Sequence, residues 1–373
     1  MASLKDVASE VGVSIAAASI ILNSPHKANR FSNKCIQEVQ EAAKRLNYYR
    51  NHRAGSLRAG KSKVLGILVH MDETQGVVLD PSWSTLISGI DATARASGYE
   101  TLMVRGESAE QVLESGIRFY RERRIDGLVV PVIPKVEDLE ILHQFEGPLV
   151  IFNRPGISQL SNVSIDESEG VRMALEHLNG LGHKNILWVG PENWGRLASN
   201  RRAEAFIRLT GEMGLDASMC QFSFPEERKS SESIIARVRD VMANHIKEGH
   251  HFTSIISYDE HVARGVYEAL VNANKKIPED VSVVSFGDYY SSFFMPALTT
   301  IKLPIFEAAG EAARILLEMI QAVGDGSEKK MEYKMMVPGL MVRESSMYNV
   351  NSVAKTSMPN ETESQESPVS ISE

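Results

Sequence analysis

Residues 47–63 read NYYRNHRAGSLRAGKSK, and the division of the whole chain turns on them. The stretch holds Arg50, Arg53, Arg58, Lys61 and Lys63 and no acidic residue. Ahead of it lie short helical patterns. Behind it the apolar run Val64–Val69 opens a long series of alternating strand and helix patterns. A basic connector between a helical head and an α/β body is expected to lie against a polyanion. Within it, Gly55 to Ser62 fits G-x-x-x-x-G-K-[ST] letter for letter. That loop cradles phosphate only between a strand and the start of a helix. Here a helix, Ser32 to Leu46, precedes and a strand follows, so the match is read as coincidence and no ATPase is expected.

Charge sharpens the division. The net charge is -8. Residues 1–63 carry eleven Lys and Arg against four acids, a charge of +7, and the remainder carries 29 against 44, or -15. Such asymmetry points to a nucleic-acid-binding end on an otherwise acidic protein. A length of 373 residues implies two or three domains. No apolar run approaches a membrane span, and MASLKDVASEV has no signal-peptide core, so a cytoplasmic, nucleoid-associated protein without a membrane partner is expected. Cys35 and Cys220 offer neither metal spacing nor a disulfide framework. No cofactor is expected, no metal site, and no catalytic set.

The head reads as three helices. Ser3 and Asp6 form a capping box for the first, which runs to about Glu10. Gly12 allows a tight turn, and Ser14 caps a second helix, Ile15 to Asn23. Ser32 caps a third, packed through Ile36, Val39, Ala43 and Leu46. Two short helices about a glycine turn are the helix-turn-helix pattern, whose second helix enters the major groove. In the body the apolar runs are Val64–Val69, Thr101–Val104, Gly127–Val132, Leu149–Phe152, Asn185–Gly190, Ser254–Ser257 and Val281–Phe286. Helical patterns separate them, which implies a mostly parallel α/β body divided into two lobes.

LKDVASEVGVS, SIILN and LNYYRNHRAGSLRAGKS resemble the head and hinge of the lactose/galactose-repressor (LacI/GalR) family of bacterial transcription factors. So do RIDGLVVP (124–131), PLVIFNR (148–154), HLNGLGH (177–183), PEDVSVV (278–284), PALTTI (296–301) and VRESS (342–346) in the body. The resemblance spans residues 3 to about 346. It implies a periplasmic-binding-protein-like body of type I, crossed three times by the chain near 154–162, 290–302 and 322–331. The expected domains are a head at 1–48, a hinge at 49–62, a body at 63–345 and a disordered tail at 346–373. The body's N-lobe would hold 63–157 and 302–326, and its C-lobe 158–300 and 327–345.

The function implied is a sequence-specific DNA-binding transcriptional repressor. It would bind a palindromic double-stranded operator as a homodimer, under the control of a carbohydrate or a carbohydrate derivative. DNA contacts are implied for Leu4, Ser14, Ile15, Ala16, Ala17, Ser19, Ile20, Asn23, Arg30, Ser32 and Tyr48 in the head. In the hinge they are implied for Asn51, Arg53, Ala54 and Leu57, with Leu57 as a minor-groove wedge. Effector contacts are implied for Trp83, Asn153, Arg202, Tyr258, Asp259 and Gly287. The departures are specific. The usual recognition-helix Thr and Arg are Ala17 and Ile20, and the usual Pro before the hinge Asn is Arg50. Direct base readout is therefore thin, since Ile15, Ala16 and Ala17 can touch thymine methyls but cannot make bidentate hydrogen bonds. The usual Asn-Asp is Tyr258-Asp259, and the usual Gly-Phe-Asp-Asp is Ser285-Phe286-Gly287-Asp288, so one sugar-binding acid is missing. A DNA-binding protein with a vestigial or unusual cleft is the alternative. A transport solute-binding protein would lack the basic head, and an enzyme would need a catalytic set that the sequence does not display.

Overall fold

The computed structural model describes residues 2–23, 25–48, 61–70, 81–106, 108–131, 142, 145–155, 157, 159–192, 197–223, 231–327 and 331–349. The chain divides into two units, 1–62 and 63–373.

In the first unit α1 (Leu4–Val11) starts on the expected capping box. Ser3 Oγ accepts from Asp6 N at 3.3 Å, and the Asp6 carboxylate accepts from Ser3 N at 2.7 Å. Gly12, at φ +73°, ends it and turns the chain into α2 (Ile15–Asn23). A 3-10 turn, Pro25–Arg30, leads to α3 (Asn33–Arg45), capped by Ser32. The small core is Val7, Ala8, Ala18, Ile21, Val39, Ala42 and Ala43, with Leu4, Ile36, Leu46 and Tyr48 packed around it. Arg45 closes the bundle by pairing with Glu10 at 2.9 Å.

Among the described residues the second unit holds two six-stranded sheets. The N-lobe is built from β1 (Val64–His70), α4 (Pro81–Ala96), β2 (Glu100–Gly106), α5 (Ala109–Arg121), β3 (Gly127–Val130), β4 (Leu149–Phe152) and β5 (Ser161–Ile165). The C-lobe follows with α6 (Glu167–Gly180), β6 (Asn185–Pro191), α7 (Leu197–Glu212), β7 (Asp216–Phe222), α8 (Ser231–Lys247), β8 (Ser254–Ser257), α9 (Glu260–Asn272), β9 (Ser282–Gly287) and β10 (Thr299–Lys302). The chain then returns through α10 (Ile305–Gly324) and β11 (Tyr333–Met336) and ends in β12 (Gly339–Met341). Sheet order is β11-β5-β4-β3-β1-β2 in the first lobe and β12-β10-β9-β8-β6-β7 in the second. All these pairs are parallel except β10 with β12. Lys61 and Ser62 lead directly to a strand, so no helix follows the P-loop-like letters; positions 55–60 lie outside the described residues.

The crossings differ from those read in the sequence. β5 pairs with β4 and β11 pairs with β5, so both belong to the N-lobe sheet. The lobes therefore exchange chain at 165–167, 302–305 and 336–339, later than 154–162, 290–302 and 322–331. The physical reason is composition. β5 is fully buried yet reads Ser-Asn-Val-Ser-Ile, its polar groups satisfied internally: Ser164 Oγ donates to Asn162 Oδ1 at 2.7 Å, and Asn162 Nδ2 donates to the Arg154 carbonyl. Without an apolar run the strand is invisible to a hydrophobicity reading. The N-lobe core contains α10 along its length, through Ala308, Ala309, Ala312, Ala313, Ile315, Leu316, Met319 and Ile320. Gly89 lets α4 approach it, since a Cβ there would lie 2.3 Å from the Phe306 carbonyl oxygen.

The expected tail also starts too early. Ser346 to Asn349 are held to the C-lobe, while 350–373 lie outside the described residues. Ser346 Oγ lies 2.9 Å from His177 Nε2, Asn349 N donates to the Leu181 carbonyl at 2.9 Å, and His183 Nε2 donates to the Met347 carbonyl at 3.0 Å. Burial lowers the imidazole pKa of both His177 and His183. The unfolded chain then binds more protons than the folded one just below about pH 6.5, so stability present above that value is lost as pH falls through it. The melting temperature is expected to drop between pH 7 and 5.5, with a shallower drop in His183→Gln. Equal slopes for the two proteins would remove this account.

Candidate functional site

The expected DNA-contacting residues fall into four sets. Ser14 and Ser32 are helix caps, accepting from Ala17 N at 3.1 Å and from Cys35 N at 3.3 Å. A hydroxyl that accepts from a backbone amide still has its own proton to give a phosphate oxygen. Ile15 is 50% exposed on an otherwise small head, Ala16 and Arg30 are exposed, and Ala17, Ser19 and Ile20 are half-buried. Leu4 and Tyr48 pack against the head core rather than standing clear of it. The Asn23 side chain and all of Asn51, Arg53, Ala54 and Leu57 lie outside what is described. An exposed isoleucine at the start of the second helix is unexplained by packing.

The body positions lie at the carboxyl ends of parallel strands. Reading outward from β1 and from β6, each sheet reverses its strand order, at β1/β3 and at β6/β8, and ligands in open α/β sheets bind beside such points. Asn153 follows β4, Tyr258 and Asp259 follow β8, and Gly287 ends β9. Trp83 stands in the first turn of α4, half-buried against the N-lobe core. Asp259 caps α9, accepting from Val262 N at 2.9 Å.

Arg202 is drawn inward. Its Nε donates to Glu167 Oε2 at 2.6 Å and its Nη1 to the Tyr258 carbonyl at 2.7 Å. Its guanidinium carbon lies 4.3 Å from the centre of the Phe286 ring and 4.9 Å from that of Tyr258. Burial alone would push its pKa down, but the Glu167 carboxylate more than offsets this and the net shift is upward. Glu167 and Arg202 thus form a buried ion pair, with side chains 2% and 6% exposed. A second buried acid, Glu260, accepts from Tyr289 N at 3.0 Å, Tyr290 N at 2.8 Å and Ser291 Oγ at 2.5 Å. Gly287, at φ +136°, sits against it, and a Cβ there would lie 2.7 Å from Glu260 Oε2. The third acid, Asp288, pairs with Arg343 at 2.5 Å.

Asn153 and Arg201 join the two lobes. Asn153, at φ +57°, accepts through Oδ1 from Ile165 N at 3.2 Å and from Arg201 Nη2 at 3.3 Å. Arg201, Glu167, Glu260 and Arg343 escaped the sequence reading. Glu167 looks like an ordinary first-turn acid, and only the doubled arginine at 201–202 was visible as a signal.

Residues 3–51 match the bacterial regulatory proteins of the lacI family, and residues 175–346 match the periplasmic binding protein-like domain. The HTH-type transcriptional regulator GalR of Escherichia coli (strain K12) is 27% identical over 333 residues, covering 86% of this chain and 89% of that protein. The HTH-type transcriptional repressor PurR of Mannheimia succiniciproducens is 26% identical over 353 residues, 92% and 98% of the two chains. In fold, the chain resembles the lac repressor dimer bound to operator and the anti-inducer ONPF, with a TM-score of 0.75 at 21% identity over 93% and 99%. It also resembles a LacI family transcriptional regulator from Enterococcus faecium with bound ribose, with a TM-score of 0.60 at 23% identity over 77% and 99%. The protein is a helix-turn-helix regulator with a periplasmic-binding-protein-like body. Its head is a lacI-family helix-turn-helix domain, and its relatives include the regulators named GalR and PurR.

Proposed function

We propose that this chain is an operator-binding repressor whose DNA affinity is set by a small molecule held between the lobes. The observation that carries it is the exposed start of α2, Ser14 to Ala16, on a head with its own closed core. The head (1–48) reads DNA, a hinge (49–62) orders on it, and the body (63–345) senses the effector. Relatives supply the pattern: one structure is of a dimer on operator, another holds ribose. The chain acts as a cytoplasmic homodimer on a palindrome and performs no catalysis. No helix among the described residues is long and apolar enough to cross a membrane.

With apolar Ile15 and Ala16 at the tip, affinity comes mainly from phosphate contacts and DNA shape, so binding falls steeply with salt, with a log–log slope on the order of -0.9 per phosphate neutralised. A hinge too short to be a stable helix in water forms only on DNA, where Leu57 wedges between base steps. Leu57→Ala is expected to weaken operator binding by about tenfold or more while leaving effector affinity of the free protein unchanged. Operator titrations with both proteins decide it. Wild-type affinity in Leu57→Ala, or tight operator binding by a chain starting at Val64, would refute the mechanism.

A further inference from the structure

Among the described residues, the acids at the strand ends of the C-lobe are each engaged. Glu167 is taken by Arg202, Asp288 by Arg343, and Glu260 by two backbone amides and a hydroxyl. Among the described residues, Arg201 makes no ion pair of this kind. Its Nε is shielded from solvent and without a hydrogen-bond partner, and its Nη2 has only the long contact to Asn153, at 3.3 Å. Asn153 Oδ1 is itself shared with Ile165 N. Nε and Nη2 form one edge of the guanidinium, with parallel N–H groups spaced to meet two oxygens of a carboxylate or phosphate. That edge lies where the C-lobe helix α7 reaches the N-lobe residue after β4, beside the carboxyl ends of the strands.

We propose that Arg201 anchors an anionic group, a carboxylate or a phosphate, on the effector, so that this regulator senses an acidic rather than a neutral small molecule. The inference rests on the effector reading above and names its ligand class. It fits the departure at Gly287. Where a sugar-hydroxyl acceptor is expected stands Gly287, and Asp288, the acid beside it, is engaged by Arg343. The charge left without a close partner beside these acids, among the described residues, is the Arg201 guanidinium. Burial lowers the Arg201 pKa, only partly countered by Glu167, so the ligand-free cation is held at a cost that an incoming anion relieves.

The test is calorimetric titration of the full chain with gluconate, glucose 6-phosphate and glucose, using wild type, Arg201→Gln and Arg201→Lys. One of the two anions is expected to bind wild type, and which one separates carboxylate from phosphate. Arg201→Gln should lose at least about tenfold in affinity and Arg201→Lys should fall between, because it keeps the charge without the fork. Ligand-free Arg201→Gln should melt no lower than wild type, which separates lost binding from lost folding. Equal anion binding by wild type and Arg201→Gln, no binding of either anion at tens of millimolar, or binding of glucose alone would overturn the proposal. Binding of glucose alone would leave effector control intact, since operator titration tests that separately.

Discussion

Arg202→Met is expected to lower the unfolding free energy by about 3–5 kcal/mol, because it strands the Glu167 carboxylate in a dry interior. Glu167 is 2% exposed and its near partner is the Arg202 Nε at 2.6 Å. Denaturant midpoints measure the loss. Replacing both members, as Glu167→Leu with Arg202→Met, should recover most of it, since a well-packed apolar pair often matches a buried ion pair. The outcome also separates two readings of Arg202. If its main work is gripping an effector hydroxyl, the single substitution leaves the ligand-free midpoint near wild type and abolishes only the ligand response. The geometry favours the first: two of its nitrogens are engaged within the C-lobe, and its guanidinium carbon lies over the Phe286 ring.

Gly287→Asp, which restores the acid usual at this point in the family, should destabilise the body by roughly 3 kcal/mol or more. A side chain at φ +136° is strained whatever space surrounds it. Its Cβ would also meet the Glu260 carboxylate at 2.7 Å, and that carboxylate cannot retreat without giving up its three donors. The added carboxylate would then face a like charge in a buried setting. Combining it with Glu260→Gln should relieve the charge but not the strain, so only part of the loss returns. A variant as stable as wild type would mean that the β9 turn is far more plastic than its hydrogen bonds imply. The expected loss would make the absence of an acid at 287 a structural requirement, because Glu260 occupies its place from the neighbouring helix.

The head was almost wholly legible because its signals are local. The Ser3/Asp6 box, Gly12 and the Ser32 cap each act within a few residues, and the helices begin where those residues direct. The strands with apolar runs were equally plain. β5, β7, β10, β11 and β12 were not, because each is stabilised by its neighbours: β5 by buried polar bonds, β12 by antiparallel pairing at an edge. At the site the limit is different. Asn153, Tyr258, Asp259 and Gly287 fall at strand ends, but which arginine is neutralised depends on Glu167 reaching Arg202 from another helix. No sequence spacing encodes that contact. It is a property of the packed C-lobe.

The return of the chain into the N-lobe has a consequence for synthesis. The core around β1, β3, β4 and β5 is completed by α10 and edged by β11, which the ribosome delivers only after the whole of the C-lobe up to β10. The head, by contrast, has every residue of its core once Ala43 has emerged. At roughly 5–20 residues per second, about fifteen to sixty seconds separate the two events. Through that interval a nascent polypeptide carries a finished head on an N-lobe that has no way to seal its apolar interior. The N-lobe sheet can bury its α10-facing side only once translation has passed α10.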